Sequence, residues 1–84
     1  MSNTPHEIHE EFPEHVERIR DLKGKNAHFA RLLDAYHEVN REIHRAETNV
    51  APTDDLHMAG MRKKRLALKD EIFAMILKEA AAGP

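Results

Sequence analysis

A cluster of histidines and glutamates near the N-terminus has the residue types that metal chemistry requires. The stretch HEIHEEFPEH, residues 6–15, holds three histidines and four glutamates. The zinc motif H-E-x-x-H works because histidines four residues apart share one helix face and point at one metal ion. Here His6 and His9 are three residues apart, and prolines bracket the stretch. We therefore expect no metal site, with His6, His9 and Glu10 as weak candidates.

The other histidines are scattered along the chain. His44 and His57 are expected on opposite sides of a turn, which makes them the second-best metal pair, although two ligands bind weakly. The chain has seven histidines in all. Since imidazole has a reference pKa of about 6.5, the protein gains positive charge below neutral pH. Assembly that depends on pH is therefore a hypothesis.

A second candidate for binding chemistry is the basic run RKKR at residues 62–65. Clustered cations bind nucleic-acid phosphates by releasing counterions. However, four consecutive helical residues point in four directions, and no aromatic residue is interleaved for base stacking. We therefore favour charge pairing between helices, with nucleic-acid contact by Arg62, Lys63, Lys64 and Arg65 as the alternative.

The composition limits the class of protein. A chain of 84 residues forms one domain at most and leaves little room for an enclosed active site, so we expect no enzyme and no cofactor. Cysteine is absent, which excludes disulfides and thiolate metal sites. The net charge of -2 argues against a general polyanion binder. Without a signal peptide or a bilayer-length apolar stretch, we expect a cytoplasmic protein that makes no membrane contact.

The sequence favours an all-α fold. Aromatic residues make up only 5% of the chain, and no run alternates between apolar and polar residues as a strand does. Apolar spacings of three and four residues predict three helices between two unstructured ends. The predicted ranges are a flexible, acidic, His-rich arm at 1–11, a domain at 12–80 with helices at about 13–23, 27–47 and 54–80, and a disordered tail at 81–84.

Local signals mark the ends of these helices. Gly24 is expected to stop or bend the first helix, and Asn26 to cap the second. Thr53 and Asp54 are both candidates to cap the last helix. Since the turn before the last helix is short, the last two helices are expected to form an antiparallel, coiled-coil-like hairpin, preceded by the short first helix.

The second helix has the clearest apolar periodicity, a seam with steps of three and four residues: Phe29, Leu32, Tyr36, Val39, Ile43 and Ala46. A constant residue-number sum of 102 pairs this region with the last helix, matching Ala46 with Leu56, Ile43 with Ala59, Tyr36 with Leu66, Phe29 with Phe73 and Leu22 with Ala80. The same register predicts the basic run beside Glu38 and Glu42, Lys69 beside Asp34 and Asp70 beside Arg31.

This register leaves a set of apolar residues without a partner, namely Leu33, Met61, Leu68, Ile72, Met75 and Ile76. An isolated pair of helices cannot cover them, and exposed apolar area of that extent marks association. We therefore predict a homodimer that forms a helical bundle, with these residues as the dimer or partner surface.

Several segments together resemble the YdcH-like family of small bacterial proteins of unknown function. The resemblance covers about residues 12–80 and is most specific in KKRLALKDEI, residues 63–72. It implies a cytoplasmic helical hairpin with coiled-coil character, no established enzymatic activity and no named ligand. The stretch SNTPHEIHEE lies outside the family body. The other matching segments are Phe12-Pro13-Glu14, Leu22-Lys23, Phe29-x-x-Leu32, and Ile43 with Glu47.

Three functional hypotheses follow. The first is a non-enzymatic, self-associating helical protein that acts as a binding module or adaptor for an unidentified protein partner. The second is a nucleic-acid-associated regulator that uses residues 62–65. The third is metal carriage by the His-rich arm. Binding that weakens steeply with ionic strength would favour the second hypothesis over the first.

Overall fold

The computed structural model describes residues 6–48 and 54–82. All regular elements in these two ranges are helical, and no strand occurs in them, so the all-α prediction is confirmed. The elements are α1 (Ile8–Glu11), a 3-10 turn (Pro13–His15), α2 (Val16–Lys25), α3 (Ala27–Glu47) and α4 (Asp55–Ala82).

The break between α2 and α3 lies at Asn26. This residue has extended backbone angles, φ −131° and ψ 106°, and its side-chain oxygen accepts a hydrogen bond from the amide of Phe29 at 3.1 Å. Asn26 is therefore the predicted N-cap. By contrast, α2 continues through Gly24 to Lys25, so the prediction that Gly24 stops the helix is wrong. Gly24 has no positive φ. Helix α2 ends at Lys25, directly before Asn26, whose side chain caps the start of α3.

Helix α4 begins after a similar cap. The Oδ1 atom of Asp54 accepts a hydrogen bond from the amide of His57 at 2.7 Å, which satisfies one of the free N–H groups of the first turn. Of the two cap candidates, Asp54 is the one that the structure shows, and Thr53 lies outside the described residues.

Helices α3 and α4 pack against each other, and α2 packs against both. Arg62 near the start of α4 bonds to Glu47 at the end of α3, while Arg65 bonds to Asn40, about two turns earlier in α3. Contacts that advance along α4 thus move back along α3. The α3 seam faces inward, with Phe29, Leu32, Tyr36, Val39 and Ile43 buried and Ala46 partly buried.

Helix α4 turns a different face inward from the one expected, although Phe73 of the expected face does pack against the core. Its buried residues are Met61, Ile72 and Ile76, whereas Leu56 and Leu66 are 84% and 57% exposed. The register with a sum of 102 is therefore wrong. The physical reason is that α4 carries apolar residues on two sides, and the side with methionine and isoleucine removes more apolar area from water than the alanine-rich side does.

The segment before α2 is part of the core. Ile8 is only 2% exposed, and Phe12 is buried against Phe73, with ring centroids 4.9 Å apart and planes 4° from parallel. Residues 6–11 therefore do not form the predicted flexible arm, because these apolar side chains are covered by the helices. Residues 1–5 of that arm lie outside the described residues, as do residues 83–84 of the predicted tail, and α4 extends to Ala82.

We predict that Ile8→Ala lowers the free energy of unfolding by about 2 kcal/mol or more, because it deletes a fully buried aliphatic group. The neighbouring exposed residue supplies the control, since His9→Ala should change this value by less than about 0.5 kcal/mol. Urea unfolding followed by circular dichroism measures both. Equal effects would show that the segment is not part of the folded core.

Candidate functional site

The predicted metal ligands do not converge. His6 and His9 are exposed, and Glu10 accepts a hydrogen bond from the backbone amide of Glu7 at 3.3 Å. His6 Nδ1 lies 3.6 Å from Glu11 Oε2. In residues 6–48 and 54–82, no group of three or more His, Cys, Asp or Glu side chains has a geometry that could hold a metal ion.

The basic run divides between two roles. Arg62 and Arg65 point toward α3, where they donate to Glu47 at 3.0 Å and to Asn40 at 2.9 Å. Lys63 and Lys64 are exposed and make no ion pair with another described residue. Glu38 and Glu42, which were predicted to lie beside the basic run, both line a groove with Lys64. Arg62 instead pairs with Glu47.

The other two predicted charge pairs do not form. Lys69 pairs with Glu11 instead of Asp34, and within the described residues no ion pair joins Asp70 to Arg31. Both predictions depended on the register that α4 does not adopt.

The predicted partner stripe lies inside the protein. Leu33, Met61, Ile72 and Ile76 are buried, and Leu68 and Met75 are partly buried against the same two clusters of core side chains. The inference that this stripe is an uncovered face is therefore wrong, because α3 and the N-terminal segment cover it.

A polar cluster attaches the N-terminal segment to the helices. The hydroxyl of Tyr36 donates to the carbonyl oxygen of His6 at 2.6 Å, and Lys69 donates to Glu11 at 2.6 Å. His37 lies against the carboxylate of Glu7. Each contact crosses from the segment to α3 or α4, so together they hold the segment in place over the core.

Two pKa values reflect this cluster. The ammonium group of Lys69, which donates to the carboxylate, lowers the pKa of Glu11 below its ordinary value of 4.5. Burial of the phenol, with the charge of Glu11 beside it, raises the pKa of Tyr36 to about 12. The Tyr36 hydroxyl therefore stays protonated at neutral pH and remains a hydrogen-bond donor to His6.

Sequence reasoning missed this cluster because its partners lie far apart in the chain. Glu11 and Lys69 are 58 residues apart, and Tyr36 and His6 are 30 apart. The available signal was the spacing of Ile8 and Phe12, which are four residues apart and so can share one side of a helical turn.

An open groove of about 450 Å³ lies between α3 and the first turns of α4. Ala35 and Val39 of α3 and Gly60 and Met61 of α4 form its apolar floor. The rim carries the groove's charges, with carboxylates on the α3 side and Lys64 and His57 on the α4 side. The residues that line it are Ala35, Glu38, Val39, Glu42, Leu56, His57, Gly60, Met61 and Lys64.

A second groove of about 480 Å³ has a different character. It lies between α2 and the C-terminal part of α4, and its lining is mainly acidic, with Glu14, Glu17, Asp21 and Glu79. Pro13 and Val16 supply its apolar surface. An apolar side chain from a partner is therefore better matched by the first groove, where apolar residues of two helices meet.

Among the described residues, no helix combines the length and the apolar character that crossing a bilayer requires. The fold of the described residues is that of a small all-helical protein with open grooves on its surface. Residues 29–76, from the first turn of α3 to the last buried isoleucine of α4, match the family described as "Protein of unknown function (DUF465)".

Two curated relatives support the same assignment. The chain is 32% identical over 69 residues to the "Uncharacterized protein YdcH" of Escherichia coli K12, a match that covers 82% of this chain and 93% of YdcH. The match to YdcH of Shigella flexneri has the same values. The chain therefore belongs to the DUF465 family of YdcH-like proteins, which confirms the resemblance seen in the sequence. No solved structure matches it significantly.

We predict that Glu11→Gln lowers the free energy of unfolding at pH 7 by up to about 1 kcal/mol, as expected for a partly exposed ion pair. Because folding lowers the pKa of Glu11, the ionised carboxylate stabilises the fold above its ordinary value of 4.5. This contribution is lost as the pH falls through the lower pKa of the folded state.

The difference in the free energy of unfolding between wild type and Glu11→Gln should therefore vanish in acid. Unfolding curves at pH 7 and about pH 3 measure it. Glu17→Gln, which changes an exposed carboxylate outside any ion pair of the described residues, is the control and should leave stability unchanged at both pH values. A difference that persists in acid would show that Glu11 acts through packing instead of charge.

Proposed function

We propose that this protein is a non-enzymatic, cytoplasmic, self-associating module that binds a helical segment of another protein. In this proposal α3 and α4 form a coiled-coil-like antiparallel hairpin, and the partner occupies the groove lined by Val39 and Met61. The observation that carries the proposal is the groove itself, about 450 Å³ of open space with an apolar floor and charges on both edges.

The lining of the groove defines the chemistry of the partner. Apolar side chains from one face of an amphipathic helix would contact Val39, Gly60 and Met61. Glu38 and Glu42 would face basic residues on one edge of that helix, while Lys64 would face an acidic residue on the other edge. Methionine adapts its shape to its partner, so Met61 suits the floor of such a site.

A photo-crosslinking amino acid placed at residue 60 tests this proposal in the protein's own host cells. Gly60 suits the purpose because it is exposed and a Cβ atom added there meets no atom within 4 Å. The matched control is residue 24, a second helical glycine with the same free space but far from the groove. We expect a defined protein, identified by mass spectrometry, to be crosslinked from residue 60 and not from residue 24.

Charge reversal on the rim gives this experiment its specificity. The double change Glu38→Lys and Glu42→Lys should abolish the crosslink from residue 60 without unfolding the protein, since neither side chain is part of the core. The proposal is contradicted if residues 60 and 24 capture the same proteins, or if the rim changes have no effect. A crosslink from residue 60 only to a second copy of this chain would also contradict it.

Nucleic-acid binding is the second candidate function. It is favoured by one observation, since Arg62, Arg65 and Lys69 line a shallow cavity of about 220 Å³ and the exposed Lys63 adjoins them in sequence. Against it, each of the three cations that line the cavity is bonded to another side chain.

A binding measurement with labelled RNA and duplex DNA separates the two candidates. If the basic run contacts phosphates, Lys63→Glu with Lys64→Glu should weaken binding at low salt, and wild-type affinity should fall steeply as salt rises. Since both side chains are exposed, the changes should not unfold the protein. No detectable binding at low salt would exclude this function.

A further inference from the structure

Helix α4 has a second apolar face, opposite the one that it buries. Leu56, Leu66 and Leu77 are 84%, 57% and 48% exposed, and the alanines at 67 and 74 are exposed as well. At 3.6 residues per turn, Leu56, Ala67 and Ala74 lie on the side of the helix away from Ile72 and Ile76, and Leu66 and Leu77 lie at one flank of that side. Leucines exposed to this extent on one side of a helix form apolar surface that association with a partner would cover.

Two charged residues stand in the middle of this outer face. Lys63 and Asp70 are exposed, and neither makes an ion pair with another described residue. They are seven residues apart, so they share one side of the helix but lie about 10 Å from each other along its axis. They are too far apart to pair within one chain. In a second α4 helix that runs antiparallel to the first, however, Asp70 can lie opposite Lys63 and Lys63 opposite Asp70.

We propose that the outer face of α4 binds the outer face of α4 in a second copy of the chain, with the two helices antiparallel. A two-fold axis that passes between positions 66 and 67 places Lys63 opposite Asp70 of the second copy, and Asp70 opposite its Lys63. The same axis places Leu56 opposite Leu77 of the second copy. All these contacts occur twice, as in an isologous interface.

Charge complementarity selects this orientation. In a parallel pair of α4 helices in register, Lys63 would face Lys63 and Asp70 would face Asp70, which is unfavourable on both counts. The antiparallel pair has neither repulsion. Small alanines between the leucines allow the two helix backbones to approach closely.

This inference rests on the self-association included in the proposed function and names its surface. The outer face of α4 differs from the dimer surface expected from the sequence, because Met61, Ile72 and Ile76 stay inside each protomer. It also leaves Glu38, Glu42 and Val39 of the groove uncovered, since these belong to α3.

Sedimentation equilibrium of wild type and charge-swap variants at pH 7.5 tests the inference. We expect the wild type to dimerise, and Lys63→Glu and Asp70→Lys each to raise the dissociation constant at least tenfold, because each change creates two like-charge contacts. The double variant Lys63→Glu/Asp70→Lys should recover the wild-type constant, since it restores both pairs in reversed order.

A mixture of the two single variants provides the sharpest result. Each variant alone places like charges opposite each other, but a heterodimer of the two places opposite charges at every one of these positions. We therefore expect the mixture to form heterodimers. The matched control is the pair Asp34→Lys and Arg41→Glu, exposed charges seven residues apart on α3, which should leave the dissociation constant unchanged. Circular dichroism verifies that each variant is folded.

The outcomes separate the inference from the proposal on which it rests. A wild type that stays monomeric to millimolar concentration overturns self-association itself. A wild-type dimer that the single changes leave intact keeps self-association but overturns the assignment to the outer face of α4. Weakened single variants with no recovery in the double variant or the mixture overturn the antiparallel register.

Discussion

Ile72 and Ile76 are fully buried in the cluster that contains Phe29 and Leu33, and this burial sets the rotation of α4 about its own axis. The position of every other residue of α4 follows from it. With these isoleucines inward, Lys69 reaches Glu11, Arg65 reaches Asn40, and Phe73 stacks on Phe12. The alanines and leucines of the other side are left in contact with water, since one helix cannot turn both apolar faces toward one neighbour.

Features determined by nearby residues were predictable from the sequence. The caps at Asn26 and Asp54 involve an amide three residues away, so the residue type and its position were sufficient. The inward face of α3 was predictable because its apolar residues form one seam. In α4 the apolar residues form two faces, and only the fit against α3 and the N-terminal segment decides between them. An incorrect choice there misplaced the inferred pairs of Lys69 with Asp34 and of Asp70 with Arg31.

The N-terminal segment was missed for a related reason. Its composition is acidic and rich in histidine, which is typical of a solvated arm. Two apolar residues, Ile8 and Phe12, hold it on the helices together with hydrogen bonds that close over long separations in the chain. The average composition of this segment does not report these few contacts, although they are what attaches the segment to the helices. One part of the groove was predictable from the sequence. The basic run was expected near Glu38 and Glu42, and Lys64 does line the groove with them.

Asn40 is the one buried polar residue among the described side chains, 1% exposed between the apolar residues of α3. Its amide oxygen accepts a hydrogen bond from Arg65 at 2.9 Å. If α4 slid along α3 by one helical turn, the apolar contacts could re-form with other methionines and leucines, but the hydrogen bond from Arg65 to Asn40 would be lost, at a cost of about 0.5 to 1.5 kcal/mol. Asn40 thus acts against sliding, and it gives two helices that are rich in interchangeable apolar residues a single alignment.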